Sequence, residues 1–197
     1  MFALFHVQEK RIFIGNILFI VCCVFYLVWW LLAFKPSHAI TGIKTGWLLI
    51  PASLSGIAGV ILIIMGVTAE PLTKQILSGR YILWGGLAVY LILLAITVFL
   101  LKRPATTELI LIVGWGMLML AEINALFGMG LFPQTLSFGF FFAVCAAVVI
   151  SLICYILYYH LDNLAGYIDG MIPLFLAALT MTGISFLMIA NTTLPNT

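Results

Sequence analysis

Residues 109–132 read LILIVGWGMLMLAEINALFGMGLF, a run whose only ionisable side chain is Glu122 and whose only side-chain amide is Asn124. A helix of roughly 20 apolar residues crosses a hydrocarbon core about 30 Å thick, so this stretch is long enough to span a bilayer. In lipid each backbone N–H and C=O must find its partner within the protein, which makes the run a helix. Five further runs of similar length flank it: Ile12–Phe34, Gly46–Val67, Tyr81–Leu101, Ser137–Tyr159 and Gly170–Ala190. Nothing shows the alternating segments of about ten residues that build a membrane β-barrel.

Composition leads to the same class. Of 197 residues, 65% are hydrophobic and 7% charged, whereas a soluble domain carries about 25% charged residues. Eight Lys+Arg and six Asp+Glu cannot coat a soluble surface of this size, and the mean hydropathy is +1.29. Lipid must therefore solvate most of the outer surface. The expected fold is all-α: a polytopic integral membrane bundle of six transmembrane helices, one transmembrane domain over residues 1–197 with no soluble domain. The first span follows Lys10-Arg11 and precedes Ser37-His38-Ala39, which resembles a cleavable signal, but its run of about 23 residues exceeds the 7–15 of a signal core. It reads as a retained helix.

Lys and Arg favour cytoplasmic loops. Here four basic pairs, Lys10/Arg11, Lys35/Lys44, Lys74/Arg80 and Lys102/Arg103, fall two to each side of a six-span chain, so the count ties. The doublet beside the first helix favours both termini inside, in the cell (inner) membrane. A net charge of +2 gives no reason to expect nucleic acid as a partner. Ile50-Pro51 and Ile172-Pro173 stand near the starts of the second and sixth spans but not in register with a three-plus-three repeat, and read as ordinary helix punctuation.

Aromatic residues at the span ends suit the membrane interface: Trp29 and Trp30, Trp47, Tyr81 and Trp84, and Tyr155, Tyr158 and Tyr159. Small residues mark close helix approach. Ala52, Ser55, Gly56 and Gly59 form one stripe on the second span; Ala121, Ala125 and Gly128, with Gly114 above, form another on the fourth. These faces serve packing within the bundle, a homo-oligomer, or a membrane protein partner. The cysteines Cys22, Cys23, Cys145 and Cys154 lie inside spans without a CxxC pair or metal-ligand spacing, so they read as packing residues.

Glu122 stands about 20 Å along its helix. An ionised side chain at such depth costs at least ~2.5–3.5 kcal/mol, which a partner, a proton or water normally offsets. No Lys, Arg or His falls within the other five predicted spans, so the available partners are neutral: Asn16, Ser53, Ser55, Thr97, Ser151, Thr180, Thr182 and Ser185. The carboxyl is expected to hold its proton or to face a hydrated cavity. Asn124 lies about 200° round the helix from it, so the two share no face, and Asn124 is expected to bond a neighbouring helix or its own backbone. Two other readings of Glu122 compete: a core carboxyl bonded to a hydroxyl across the bundle, or one that meets a partner protein's charge.

Three functions follow. The leading expectation is a transporter, channel or transporter subunit for an ion or a small or amphipathic solute, with Glu122 as the binding group and Asn124, Asn16, Ser55 and Thr182 as lesser candidates. The scarcity of polar residues argues against a large hydrophilic substrate, and no cofactor is expected. The alternative is a non-catalytic assembly factor, sensor or partner protein docking through the small-residue faces of the second and fourth spans. The third is an interfacial lipid-active enzyme using His160, Asp162 and Asp169 of the loop YYHLDNLAGYIDG at 158–170, the one cluster on which metal or acid–base chemistry could be built. Asp162-Asn163 can equally cap a turn, and Asp169-Gly170 can start a helix. No phosphate-binding glycine loop, GxSxG, HExxH or haem-spaced histidine pair occurs.

Overall fold

A computed structural model describes residues 6–33, 45–69, 74–100, 102, 107–158, 160–161 and 163–193. Among them the chain is helical without a strand, and six helices are long and apolar enough to cross a membrane. We number them α1 Val7–Ala33, α2 Leu49–Val67, α3 Gly79–Ala95, α4 Thr107–Gly128, α5 Gln134–Leu157, the short α6 Asn163–Asp169, and α7 Ile172–Thr193. A 3-10 turn, Thr45–Leu48, leads into α2, and a π-helical turn, Ile96–Leu100, extends α3. The protein is an all-α membrane bundle.

Punctuation follows local chemistry. Pro51 and Pro173 occupy the first turns of α2 and α7, where a missing amide hydrogen costs little. After α4 the chain turns at Gly130, φ +77°, with Gly130 N donating to Phe127 O and Leu131 N to Leu126 O. That pair of bonds is a Schellman cap, whose left-handed residue is most easily glycine. Pro133 then opens α5 from an extended conformation.

Two expected boundaries differ. The first helix starts at Val7 rather than Ile12, so Lys10 and Arg11 lie in its first turns. His6 N donates to Glu9 Oε2 at 2.9 Å and closes that first turn. The sixth span is α7, and a short helix, α6, precedes it across Gly170-Met171 in place of the expected loop.

Five helices close a ring in the order α1, α2, α4, α5, α7 and back to α1, while α3 packs outside on α4. The α1–α2 contact is the closest. A Cβ on Gly15 would come 2.8 Å from Gly59 O, and one on Gly59 would come 2.8 Å from Gly15 O. Only glycine permits backbones to approach this closely. The small stripe of α2 is thus occupied by α1 over Gly56 and Gly59, and Ala52 and Gly66 are buried with it. On α4 the close approach to α5 is made by Gly116, whose Cβ would meet Val148, whereas Gly114 faces open space. Met119, Ile123, Met181, Ile184 and Met188, all fully buried, fill the ring.

Among the expected anchors, Trp47, Tyr81 and Trp84 point outward, as a belt requires. Trp30 does not. It is buried, its Nε1 donates to Tyr167 O at 3.1 Å, and its ring fills the space a Cβ on Gly170 would take. It pins α6 to the C-terminal end of α1. Tyr155 is likewise buried, in a smaller cluster with Leu109 and Val113.

Candidate functional site in the middle of the ring

Across the ring from α4 stands α1, and one polar contact joins them: Asn16 Nδ2 donates to Glu122 Oε1 at 2.5 Å. Both side chains are 0% exposed. The contact adjoins the Gly15–Gly59 crossing near the middle of α2, and with Glu122 six residues from the end of α4 the pair lies inside the bundle, nearer the end that holds the α1 N-terminus. Close packing of α1 on α2 fixes the Asn16 side of the pair, and the α4 face carrying Trp115, Met119 and Glu122 fixes the other.

Two oxygens of this pair, Asn16 Oδ1 and Glu122 Oε2, are buried without a hydrogen-bond partner among the described residues. No basic side chain among those residues pairs with the carboxyl. An amide and a protonated carboxyl are complementary: a proton on Oε2 would supply the donor that Oδ1 lacks. Loss of that proton leaves an anion held by a single amide N–H in a water-poor interior, which calls for a cation or water in its place. The arrangement is suited to exchanging a proton, or a small cation, at one buried carboxyl.

Asn124 does different work. Its Oδ1 accepts from Ile76 N at 2.9 Å and Leu77 N at 3.3 Å, and its Nδ2 donates to Leu77 O at 2.6 Å. It therefore bonds the connection between α2 and α3, rather than another helix or its own backbone. That connection runs beside α4 only two residues from Glu122, where irregular backbone must be satisfied by protein groups. One amide satisfies three of its main-chain groups.

Ser55 and Thr182 do not join the pair. Ser55 Oγ donates to Pro51 O at 2.7 Å, and Thr182 Oγ1 donates to Ala178 O at 2.7 Å, each bonding back along its own helix. Thr182 also faces outward. The loop cluster is divided. His160 is exposed, Asp169 is buried with its carboxyl bonded by the Cys154 thiol, and Asp162 lies outside the described residues. Among the described residues no three His, Cys, Asp or Glu side chains are grouped to hold a metal ion.

The geometry adds residues that sequence reading left unranked. Ser185 and Ser151 are buried with hydroxyls that bond nothing among the described residues, and Trp115 buries an indole N–H without a partner among them. Trp115 could have been found by its spacing, seven residues before Glu122 and hence on the same helix face. Ser185 could have been found inside the Met181, Ile184, Met188 pattern of α7. Comparison with known protein families, curated proteins and solved structures finds no match.

Proposed function

We propose that this protein is a small transporter, channel or transporter subunit for an ion or small solute, with Glu122 as its intramembrane binding group. The supporting observation is the Asn16–Glu122 pair: a fully buried carboxyl bridging the ring, with no basic partner among the described residues and with Glu122 Oε2 and Asn16 Oδ1 left as open acceptors. An intramembrane ionisable residue of this kind costs stability that a function compensates. We place the protein in the cell (inner) membrane with both termini cytoplasmic, on the basic doublet Lys10-Arg11 beside the first helix.

Reconstitution into liposomes tests this reading. Dissipation of an imposed pH or cation gradient should be at least tenfold slower with Glu122→Gln than with wild type, at equal incorporation. Equal rates would overturn it.

One observation favours a second reading, a membrane partner protein. Helix α3 packs against the ring through α4 and turns Leu83, Trp84, Leu91, Ile92 and Phe99 outward. Co-purification of one defined membrane protein, lost on bulky substitution of Gly85 on that open face, would favour it.

A further inference from the structure

We propose that protons reach Glu122 from one side of the membrane, along a file of buried polar groups that begins at Asp169. The proposal rests on the transport reading of Glu122 and names the proton as its ion.

Six buried side-chain atoms have no hydrogen-bond partner among the described residues: Asn16 Oδ1, Trp115 Nε1, Glu122 Oε2, Ser151 Oγ, Asp169 Oδ2 and Ser185 Oγ. Such groups are few in a native protein, and each calls for an explanation. The two serines are informative. Ser55, Thr68, Thr97, Ser137, Thr180 and Thr182 all donate to the carbonyl four residues back. Ser151 and Ser185 forgo that bond although they are buried.

Observed contacts set the depths of these atoms. Asn16 is level with Glu122 through their hydrogen bond. Gly116 of α4 is level with Val148 of α5, Gly183 of α7 with Phe140 of α5, and Trp30 of α1 with Tyr167 and Gly170. At 1.5 Å per helical residue, Ser185 then lies within about one turn of Glu122. In the direction of the α1 C-terminus, Trp115 follows at about 10 Å, Ser151 at about 13 Å, and Cys154 with Asp169 at about 18 Å. The independent bond between Cys154 and Asp169 agrees with the last of these levels. Five of the six unpartnered atoms thus fall in order from the bundle end to the Asn16–Glu122 pair, on α1, α4, α5 and α6, while Ser185 of α7 lies about one turn past that pair.

Opposite this file, toward the α1 N-terminus, lie Ser185 and the α2–α3 connection bonded by Asn124. Glu9 is buried two turns before Asn16 on the same face of α1 and accepts from His6 N, with fully buried Ile12 and largely buried Phe13 in the turn between. Apart from Cys145, which lies within about one turn, other titratable groups are remote from Glu122 in depth. On α1 the nearest on the buried face are Glu9 and Cys23, each two turns from Asn16; α5 brings Cys145, Cys154 and Tyr155; α4 adds exposed Glu108; α2 and α7 carry no ionisable side chain.

The chemistry of the file selects the proton. A dehydrated metal cation needs several oxygen ligands together. Here the groups are strung out singly, and two of them, an indole N–H and a thiol, are poor ligands for a hard cation. Hydroxyl, indole and carboxyl groups spaced in this way can each hydrogen-bond water, along which a proton passes without its carrier moving. The transfer is a relay: a proton taken up at Asp169 Oδ2 leaves an equivalent proton on Glu122 Oε2, and no bond other than O–H is made or broken.

Hydrogen–deuterium exchange at Glu122 tests the file. The carboxylic C=O stretch of Glu122, isolated by subtracting the Glu122→Gln spectrum, is followed by infrared spectroscopy after nanodisc-embedded protein enters D2O, at the pH where that band is largest. Exchange should be at least tenfold slower in Ser151→Ala and Asp169→Asn than in wild type. Ser151→Thr, which keeps a hydroxyl, should restore it, and Ser55→Ala should leave it unchanged. Equal rates in all these proteins, or no exchange in wild type over hours, would overturn the proposal. Proton flux separates the two ideas: flux that needs Glu122 with exchange indifferent to Ser151 and Asp169 removes the file alone, and flux indifferent to Glu122 removes the transport reading.

Discussion

At the scale of single residues, two neighbours on α4 divide the work. Glu122 reaches inward to Asn16, and Asn124, on the other side of the helix, holds the α2–α3 connection. Asn124→Ala should therefore be destabilising without touching Glu122. It strands two part-buried N–H groups and one C=O, each costing up to about 1–3 kcal/mol when unpaired. Thermal unfolding in detergent should show a large fall in Tm; a change of a degree or less would contradict this role. Asn16→Leu should also lower Tm, by removing the only partner of a buried carboxyl, whereas Glu122→Gln should retain the fold because an amide can still pair with Asn16. Glu122 was legible in the sequence because one carboxyl in a 24-residue apolar run is conspicuous. Its partner was not, since 106 residues separate the two and nothing local distinguishes Asn16 from other neutral polar residues. Ser55 and Thr182 were equally indistinct: whether a hydroxyl serves a cavity or its own i−4 carbonyl is decided by one rotamer, which sequence does not encode.

At the scale of elements, glycine placement decides which helices meet. A Cβ at Gly59 would lie 2.8 Å from the Gly15 carbonyl oxygen, a backbone atom that cannot turn aside. Gly59→Val should force α1 and α2 apart, displace Asn16 from Glu122, and cost several kcal/mol if the helices cannot shift. Gly85→Ala on α3 meets nothing within 4 Å and should be neutral or stabilising, by up to about 0.5–1 kcal/mol. Paired Tm measurements of these two variants check the α1–α2 crossing; equal effects would contradict it. The helices themselves were legible because hydropathy is a local, one-dimensional signal and lipid leaves no alternative to intrahelical hydrogen bonds. Their ends were less so. Val7–Arg11 is charged enough to fall outside the apolar run, yet it continues α1 because its backbone hydrogen bonds continue. Trp30 read as an interfacial anchor, but the approach of α6 buries it, and that contact belongs to the tertiary fold.

At the scale of the whole molecule, a closed ring of five helices with α3 outside it leaves one polar locus at its middle. Six spans place both termini on the same side, and reporter fusions at each end should both read as cytoplasmic; opposite signals would contradict the six-span topology. The measurement that tests the central claim most directly is a carboxyl infrared titration of the protein in nanodiscs, referenced to Glu122→Gln. If Glu122 is a working binding group, its band disappears and returns reversibly with pH and shifts when a transported cation or solute is added. A Glu122 band that is unmoved by pH, by cations and by every added solute would mean that the carboxyl is only a structural hydrogen bond to Asn16, and would contradict the account.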